Sequence, residues 1–363
     1  MKRNPPDLFL FVVTLSLLIL GLIIVFSASA PISLTHTKDA NVFHYWIRQL
    51  LFAAIGVMLM LLTMKFPYSN WKRFSLWIAV SSIVFLVLVL FVAKDIKGAH
   101  RWINLGFFNF QPSEYAKVGV VLVIAHYISE IKKGITHPII GIILPLVFVL
   151  IVCGLILLEP DLGTTIVIFT TFIIMIFAGG ANLYHLFFLG LMGIVAVAVL
   201  VIKEPYRARR LIAFLDPWKD PQGNGWQIIQ SLFALGSGGL FGMGLGMSRQ
   251  KFSYLPEAHT DYIFSILGEE LGLLGTVTVI ILFFLFAWRG YKIAITAKDL
   301  YGKMLATGIT TYIIFQALLN IGVVTSSIPV TGITLPFFSY GGSSLSITLF
   351  SVGILLNISK YSE

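Results

Sequence analysis

The sequence predicts an all-α polytopic membrane protein, and two observations carry that prediction. Apolar residues make up 58% of the 363 residues and charged residues only 11%, with a mean hydropathy of +0.93. A water-soluble domain of this length has no interior large enough to hide so much apolar surface. The apolar residues also fall in runs of about 20, the length of a helix that crosses a bilayer. We therefore expect one membrane domain over residues 1–363.

Ten apolar segments predict ten transmembrane helices. They lie at about 8–30, 43–64, 74–93, 113–129, 138–158, 164–179, 184–202, 262–288, 304–324 and 342–358. The first ends in Ala28-Ser29-Ala30, which imitates the cleavage site of a signal peptide. Its apolar run is longer than the roughly 7–15 residues of a signal peptide, so we interpret it as a retained span. An even number of spans places both termini on one side of the membrane.

The distribution of basic residues predicts that this side is the cytoplasm, because cytoplasmic loops carry an excess of Lys and Arg. The short outer loops then hold Lys38, Lys94, Lys97 and Arg101. The short inner segments hold Lys2, Arg3, Lys65, Lys72, Arg73, Lys132, Lys133, Arg289, Lys292, Lys298, Lys303 and Lys360. These helix ends and lipid headgroups account for the net charge of +9, so nucleic acid is not expected as a partner. Cys153 is the single cysteine, and it offers neither a disulfide nor a thiolate metal site within the chain.

Pro, Gly, aromatic and charged residues concentrate in the outer loops, which predicts a functional surface on that side. These loops are residues 98–114, 159–164, 203–261 and 329–344. Within the long extracellular loop, Trp226–Leu235 predicts a short interfacial or re-entrant helix. Six glycines follow between Gly236 and Gly246. They either let the backbone approach a phosphate or sugar or let a turn pack tightly, and the sequence leaves both alternatives open.

Five ionisable residues stand around the start of the eighth predicted span, in a chain with only 16 acidic residues. They are Glu257, His259, Asp261, Glu269 and Glu270. Asp261 directly precedes the span, where an Asp often caps a helix. Glu257 lies four residues earlier and can share a bound cation with Asp261, which favours catalysis over simple capping. The two interpretations of Asp261 are compatible.

Glu269 and Glu270 lie roughly 12–13 Å along this helix from its start. A charge at that depth costs about 2.5–3.5 kcal/mol, so at least one of them requires a polar cavity or a basic partner. Arg48 in the second span and Lys117 in the fourth span are the candidate cations. The glutamates form either a buried structural ion pair or a polar cleft that leads to Asp261, and the structural alternative is favoured.

Lys117 lies near the predicted outer surface, and three roles stay open for it. Its ammonium can reach lipid phosphate, pair with Glu114 at i, i+3, or bind a phosphate of the substrate. Other basic residues near this side are by default interfacial anchors or headgroup-binding groups: Arg101, Arg207, Arg209 and Arg210. Asp161 follows Glu159 and Pro160 and is expected to cap the sixth span.

Several long motifs occur in an order that resembles a known family over nearly the whole chain. The motifs are GAHRWI with FQPSEYAK, EPDLGT, DPW with QIIQSLFALGSGGLFGMGLG, YLPEAHTDYIF with GEELG, and PVTGITLPFFSYGGSS. They resemble the SEDS family (shape, elongation, division and sporulation) of peptidoglycan glycosyltransferases. Residues 246–261 look more similar to its FtsW and SpoVE branch than to its RodA branch. Glu159, Trp226 and Tyr262 depart from the Gln, Tyr and Phe that are usual in the family.

The resemblance implies a substrate, partners and a location. The substrate is lipid II, a disaccharide-pentapeptide on undecaprenyl pyrophosphate, and the partners are a class B penicillin-binding protein and other division proteins. The location is the bacterial plasma membrane at the division septum. The resemblance also implies that Asp261 matches the family's essential acid and Lys117 an important lysine of the fourth helix. Asp261 would then act as the general base for a sugar hydroxyl, which is too weak an acid to ionise first.

Departure of a pyrophosphate needs fixed positive charge or a divalent cation such as Mg or Mn. The residues predicted to bind the substrate around Asp261 are Lys117, Arg101, Glu257, Glu114, His259, Arg249 and Lys251. A lipid flippase or transporter is the alternative function, and it predicts inner-face sites and repeats broken at the midplane. A non-catalytic scaffold leaves the charged outer loops unexplained.

Overall fold

A computed structural model describes residues 4–36, 41–93, 101–104, 106 and 109–362 of the chain. Their regular secondary structure is almost all helix, with one short two-stranded hairpin, which confirms the predicted all-α class. The α-helices are α1 (Leu8–His36), α2 (His44–Lys65), α3 (Tyr68–Val92), α4 (Pro112–Ile131), α5 (Leu144–Leu158), α6 (Leu162–Ala178), α7 (Leu183–Lys203), α8 (Pro205–Leu215), α9 (Trp226–Ser237), α10 (Ile263–Thr296), α11 (Leu300–Val324) and α12 (Gly342–Ser359). A π-helical stretch, Pro138–Ile143, leads into α5. A short hairpin pairs β1 (Ile103–Asn104) antiparallel with β2 (Asn109–Phe110).

Each of the ten predicted spans coincides with a described helix, and α8 and α9 are the two additional helices, both in the long loop. Eight helical stretches of the described chain have the length and hydropathy of a membrane span. Of the other two, α6 is shorter at 17 residues, and α4 carries Glu114 and Lys117. Several predicted charges lie outside the described residues or have undescribed side chains: Lys2, Arg3, Lys38, Lys94, Lys97, Lys132 and Lys133.

The two ends of the chain meet at one end of the helix bundle, which we call the terminal end. The backbone N–H of Asn4 donates to the carbonyl oxygen of Lys360 at 3.0 Å. Arg289 near the end of α10 pairs with Asp7 through its Nε at 2.5 Å. This arrangement is the one expected from an even number of crossings. Which side of the membrane the terminal end faces stays a prediction from the basic residues.

The backbone of α10 breaks at Gly272, where φ is 65° and ψ is −162°. This conformation lies in a region that only glycine adopts without strain, so the break separates a first segment, residues 263–271, from the long remainder of the helix. The chain that follows α9 bonds to the backbone at the break. The N–H of Met243 donates to the carbonyl of Glu269 at 2.9 Å, and the N–H of Leu273 donates to that of Gly239 at 2.9 Å.

Helix α9 packs alongside the first segment of α10, and the two helices run in the same direction. Near its middle, the Ser231 and Ser265 hydroxyls are 2.8 Å apart, and beyond its end Gly238 contacts Gly268. The buried face of α9 includes Ile228 and Ala234. The predicted short helix is therefore present, and whether it is interfacial or re-entrant stays a prediction.

Two of the six glycines permit this close packing. A Cβ atom at Gly238 would lie 2.0 Å from the carbonyl oxygen of Gly268, and one at Gly242 would lie 2.1 Å from that of Glu270. A Cβ atom at Gly236 would meet nothing within 4 Å. The tight-packing interpretation is therefore confirmed at Gly238 and Gly242.

We predict that Gly238→Ala lowers the free energy of unfolding by about 1–3 kcal/mol, because the added methyl group overpacks the contact between α9 and α10. Gly236→Ala is the matched control, and it should leave stability unchanged or slightly raise it, since alanine favours a helix. Thermal melting of both purified variants in detergent measures the effect. Equal melting temperatures for the two variants would contradict the prediction.

Candidate functional site

Asp261 lies at the end of the bundle opposite the terminal end, which we call the Asp261 end. Helix α10 begins at Ile263, its N-cap residue is Tyr262, and no side chain caps it. The capping interpretation of Asp261 is therefore wrong. The Asp261 side chain is partly exposed at this end of the bundle, where a substrate can reach it.

The backbone around Asp261 is held by later parts of the chain. The carbonyl oxygen of Asp261 accepts a hydrogen bond from the Asn320 side-chain amide of α11 at 2.7 Å. The carbonyl oxygen of Thr260 accepts one from the Ser339 hydroxyl at 2.6 Å, and that of His259 accepts one from the N–H of Tyr340 at 2.9 Å. We call residues 331–341, which precede α12, the anchoring loop. Asp261 thus sits on a backbone that is fixed from two sides.

Loss of hydration, and after it the negative charge of Glu257, raise the pKa of Asp261 to about 6. The positive charges of Arg101 and Arg210 lower this pKa, but their effect is smaller than that of burial. The sequence left open whether burial or a neighbouring cation dominates at Asp261, and burial dominates. At neutral pH the carboxylate is therefore mostly ionised and still a stronger base than an ordinary Asp.

Arg101 and Glu159 form one wall of the site. The Arg101 Nε–H donates to the carbonyl oxygen of Glu159 at 3.0 Å. The Glu159 side chain is fully buried, and neither carboxyl oxygen has a hydrogen-bond partner among the described residues. Burial, and then the charge of Asp161, raise the pKa of Glu159 to about 9, so its carboxyl group is neutral at pH 7. Asp161 accepts the N–H of Thr164 at 3.0 Å, which confirms the predicted cap of α6.

Lys117 is buried, with 3% of its surface exposed. Its ammonium donates to Glu114 Oε1 at 2.9 Å and to Gln316 Oε1 at 2.5 Å. Of the three roles left open by the sequence, the structure shows the ion pair with Glu114. Binding of a substrate phosphate by Lys117 stays a prediction.

Glu269 and Glu270 are both buried. Both bind residues 248–251, which follow the part of the chain that bonds to the backbone at the break in α10. Glu269 Oε1 accepts the backbone N–H of Arg249 at 3.0 Å. Glu270 Oε1 pairs with the Lys251 ammonium at 2.8 Å and accepts the hydroxyl of Ser27 at 2.6 Å. The favoured structural ion pair is therefore confirmed for Glu270.

The predicted partners of these glutamates were wrong. Arg48 is exposed and bonds the Tyr340 side chain, and Lys117 pairs with Glu114. Lys251, predicted to bind pyrophosphate, supplies the cation for Glu270 and is buried. The chain turns back after α9 and places Lys251 beside the first segment of α10. No local sequence pattern indicates this contact.

Two further predicted residues are His259, which lies beside the anchoring loop, and Arg249, which lies in the segment 248–251 that binds Glu269 and Glu270. The His259 ring is buried and packs against the rings of Tyr45 and Tyr340, with centroids 5.5 and 5.7 Å apart. The Arg249 side chain is exposed, and the hydrogen bond that Arg249 donates to Glu269 comes from its backbone N–H. Arg249 therefore stays a candidate for binding the substrate.

Three residues of the site were missed by reasoning from the sequence. Arg210, which the sequence assigned to a headgroup-binding patch, lowers the pKa of Asp261 and lines a cavity of about 240 Å³. Leu162, Val201 and other apolar side chains of α6, α7 and α11 form much of the cavity wall. Gln316 and Asn320 also escaped notice, although two amides four residues apart in an apolar helix are a usable signal for a polar face.

The whole chain is similar to known proteins. Residues 7–363 match the family model FtsW, RodA and SpoVE, described as "Cell cycle protein". Stage V sporulation protein E of Bacillus subtilis (strain 168) is 49% identical over 370 residues, which cover 100% of this chain and 99% of that protein. The probable peptidoglycan glycosyltransferase FtsW of Trichlorobacter lovleyi is 42% identical, covering 97% of this chain and 93% of that protein.

Solved structures share the fold over the full length. A chain from "Structural coordination of polymerization and crosslinking by a peptidoglycan synthase complex" superposes with a TM-score of 0.78 at 30% identity, covering 98% of this chain and 97% of that chain. The crystal structure of the rod shape determining protein RodA of Thermus thermophilus gives a TM-score of 0.73 at 29% identity, covering 99% and 98%.

We predict that Lys251→Met destabilises the protein by about 3–5 kcal/mol, because it leaves the charge of Glu270 buried and uncompensated. The double variant Lys251→Met with Glu270→Gln removes both charges and should regain most of the lost stability. The melting temperatures of both purified variants in detergent are the measurements. A double variant that is no more stable than Lys251→Met would contradict the ion-pair interpretation.

Proposed function

Because the chain belongs to the FtsW, RodA and SpoVE family of cell cycle proteins, we propose that it is a peptidoglycan glycosyltransferase that polymerises lipid II on the outer face of the cytoplasmic membrane. The observation that carries the proposal is the Asp261 carboxylate, which is partly exposed, anchored through its backbone and raised in pKa to about 6. The names of the FtsW relatives favour a transferase over the alternative of a lipid flippase.

Asp261 is the proposed general base. A sugar hydroxyl must lose its proton as it attacks the anomeric carbon, and a carboxylate with a pKa of about 6 accepts that proton better than an ordinary Asp does. The new glycosidic bond forms as the bond from the anomeric carbon to the pyrophosphate oxygen breaks. With Asp261 as the single base, the proposed reaction is direct displacement with inversion and no covalent intermediate. The departing pyrophosphate takes the bonding electron pair with it.

Arg101 and Arg210 are the cations that we propose for stabilising this pyrophosphate. Both act electrostatically on Asp261, whereas Lys117 and Lys251 are buried in ion pairs. Arg210 is exposed and borders the cavity of about 240 Å³, and the apolar side chains of that cavity suit the first part of a prenyl chain. The positive charge of Arg210 would therefore meet the phosphates where the lipid chain ends.

A divalent cation, Mg or Mn, belongs to the proposal as a companion of the pyrophosphate. The described residues contain no group of three or more His, Cys, Asp or Glu side chains suited to a metal. Mg²⁺ usually binds through one or two carboxylates together with substrate phosphates and waters, and Glu257, which lies near Asp261, would supply such a carboxylate while Asp261 serves as the base. When bound, the cation would add charge stabilisation to that of the arginines.

A class B penicillin-binding protein is the proposed partner, and the division septum or a sporulating cell is the proposed site of action. The structural similarity to a chain of a peptidoglycan synthase complex supports the partner. The similarity to a sporulation protein and to FtsW proteins supports the proposed site of action. The polytopic helical architecture itself accords with a multi-pass membrane protein.

We predict that Asp261→Asn abolishes glycan polymerisation by the purified chain with its partner and lipid II. The amide keeps the size of the side chain but cannot accept the proton. Asp216→Asn is the matched control, because Asp216 is an exposed Asp in the same long loop, and it should retain activity. Near-normal strands from a folded Asp261→Asn variant would end the assignment of the base.

The rate of polymerisation should depend on pH through Asp261. The protonated carboxyl group is inactive, so kcat/KM should rise with pH through an inflection near 6 and reach a plateau above it. Glu257→Gln removes a negative charge that raises this pKa, so it should move the inflection to lower pH. Initial rates between pH 5 and 8 test both expectations. A shift to higher pH in the Gln variant would show that the two carboxylates do not interact as described.

A further inference from the structure

Two amide side chains of α11 connect the helix to the anchoring loop. Gln316 and Asn320 are 2% and 1% exposed and lie four residues apart, on one face of the helix. The Gln316 Nε2–H donates to the carbonyl oxygen of Thr334 at 3.0 Å. The Asn320 Nδ2–H groups donate to the carbonyl oxygens of Ile333 and Asp261, each at 2.7 Å. Asn320 therefore bonds the anchoring loop and the residue of the base at the same time.

Lys117 determines which way the Gln316 amide points. An ammonium only donates hydrogen bonds, so it requires the amide oxygen of Gln316 on its side. The amide nitrogen must then face the anchoring loop, where it donates to Thr334. A flipped amide would place its N–H groups against the ammonium and lose this charge-assisted bond. Glu114 in turn holds the Lys117 ammonium at 2.9 Å.

The anchoring loop passes directly beside the carboxylate of Asp261. A Cβ atom at Gly332 would lie 3.6 Å from Asp261 Oδ2. The same loop contacts α6, since a Cβ atom at Gly163 would lie 2.5 Å from the side chain of Ile333. A displacement of residues 331–334 would therefore move the surroundings of the carboxylate and, through Asn320, its backbone.

We infer that Gln316 and Asn320 are positioning residues for Asp261, and that Lys117 and Glu114 act on the reaction through Gln316 instead of by touching the substrate. The inference rests on the proposed role of Asp261 as the base. It gives the buried ion pair of α4 a defined task, which is to fix the orientation of one amide. It also gives Lys117 a role different from that of Arg101 and Arg210, which are the cations proposed to stabilise the pyrophosphate.

A positioning role and a binding role differ in the kinetic constant that they change. Asn320→Leu removes the two donated bonds without adding charge. The double variant Lys117→Met with Glu114→Gln removes the group that orients Gln316 and leaves no buried charge without its partner. In both variants kcat should fall by about 10–100-fold, because a small misplacement of a catalytic group has effects of that size. The KM for lipid II should stay within about twofold of the wild-type value, because ground-state binding is unchanged.

Asn357→Leu is the matched control for stability. Asn357 is 2% exposed and donates to the carbonyl oxygen of Met64 at 2.8 Å, but it lies in α12 at the terminal end. It should lose thermal stability as Asn320→Leu does, while its folded fraction keeps the wild-type kcat. If Asn320→Leu does not fold, Gln316→Glu takes its place. That carboxylate still accepts from Lys117 but has no N–H group for Thr334, so kcat should again fall alone.

The outcomes are distinguishable. A raised KM with an unchanged kcat in the double variant Lys117→Met with Glu114→Gln would show that the ion pair contacts the substrate, and the inference would be wrong. A wild-type kcat in Asn320→Leu, or a loss of activity that parallels melting temperature in both asparagine variants, would also overturn it. A wild-type chain that makes no glycan with its partner would instead defeat the proposed function.

Discussion

A buried polar group in the apolar bundle is costly unless it finds a partner within the chain, because hydrocarbon offers no hydrogen bonds. The ion pairs Lys117–Glu114 and Lys251–Glu270 meet this requirement, and so do the amides of Gln316 and Asn320. Lys117 also joins α4 to α11 through Gln316, and Lys251 and the two amides each join a helix to a segment from another part of the chain. The bonds that make burial tolerable are therefore the same bonds that fix the loops at the Asp261 end.

The sequence predicted the helices well, because each span is an apolar run of the required length. It also predicted the cap of α6 at Asp161, because a cap depends on local position. It did not predict that Lys251 neutralises Glu270, a pair 19 residues apart. That contact requires the backbone break at Gly272 and the return of the chain after α9. Such geometry arises from packing between segments, which no periodicity encodes.

The site shows the same division between local and distant information. Glu269 and Glu270 are neighbours in sequence, yet one binds backbone N–H groups and the other binds an ammonium. Arg210 belongs to a row of arginines, yet it is the one that both acts on the charge of Asp261 and lines the cavity. Only the fold distinguishes the partners of Glu269 from those of Glu270 and identifies Arg210 as the arginine of its row that acts on Asp261.

The anchors of Asp261 also impose an order on biosynthesis. Asn320 lies 59 residues after Asp261, and Ser339 lies 79 residues after Thr260, whose carbonyl it binds. A chain emerging from the ribosome therefore inserts its carboxylate well before the segments that align it. The apolar cavity beside Arg210 also needs Leu319 of α11 and Val330, so neither the cavity nor the alignment of Asp261 is complete until α11 and the anchoring loop have joined the bundle. If Asp261 is the base, a nascent chain therefore gains its activity only when these last segments arrive.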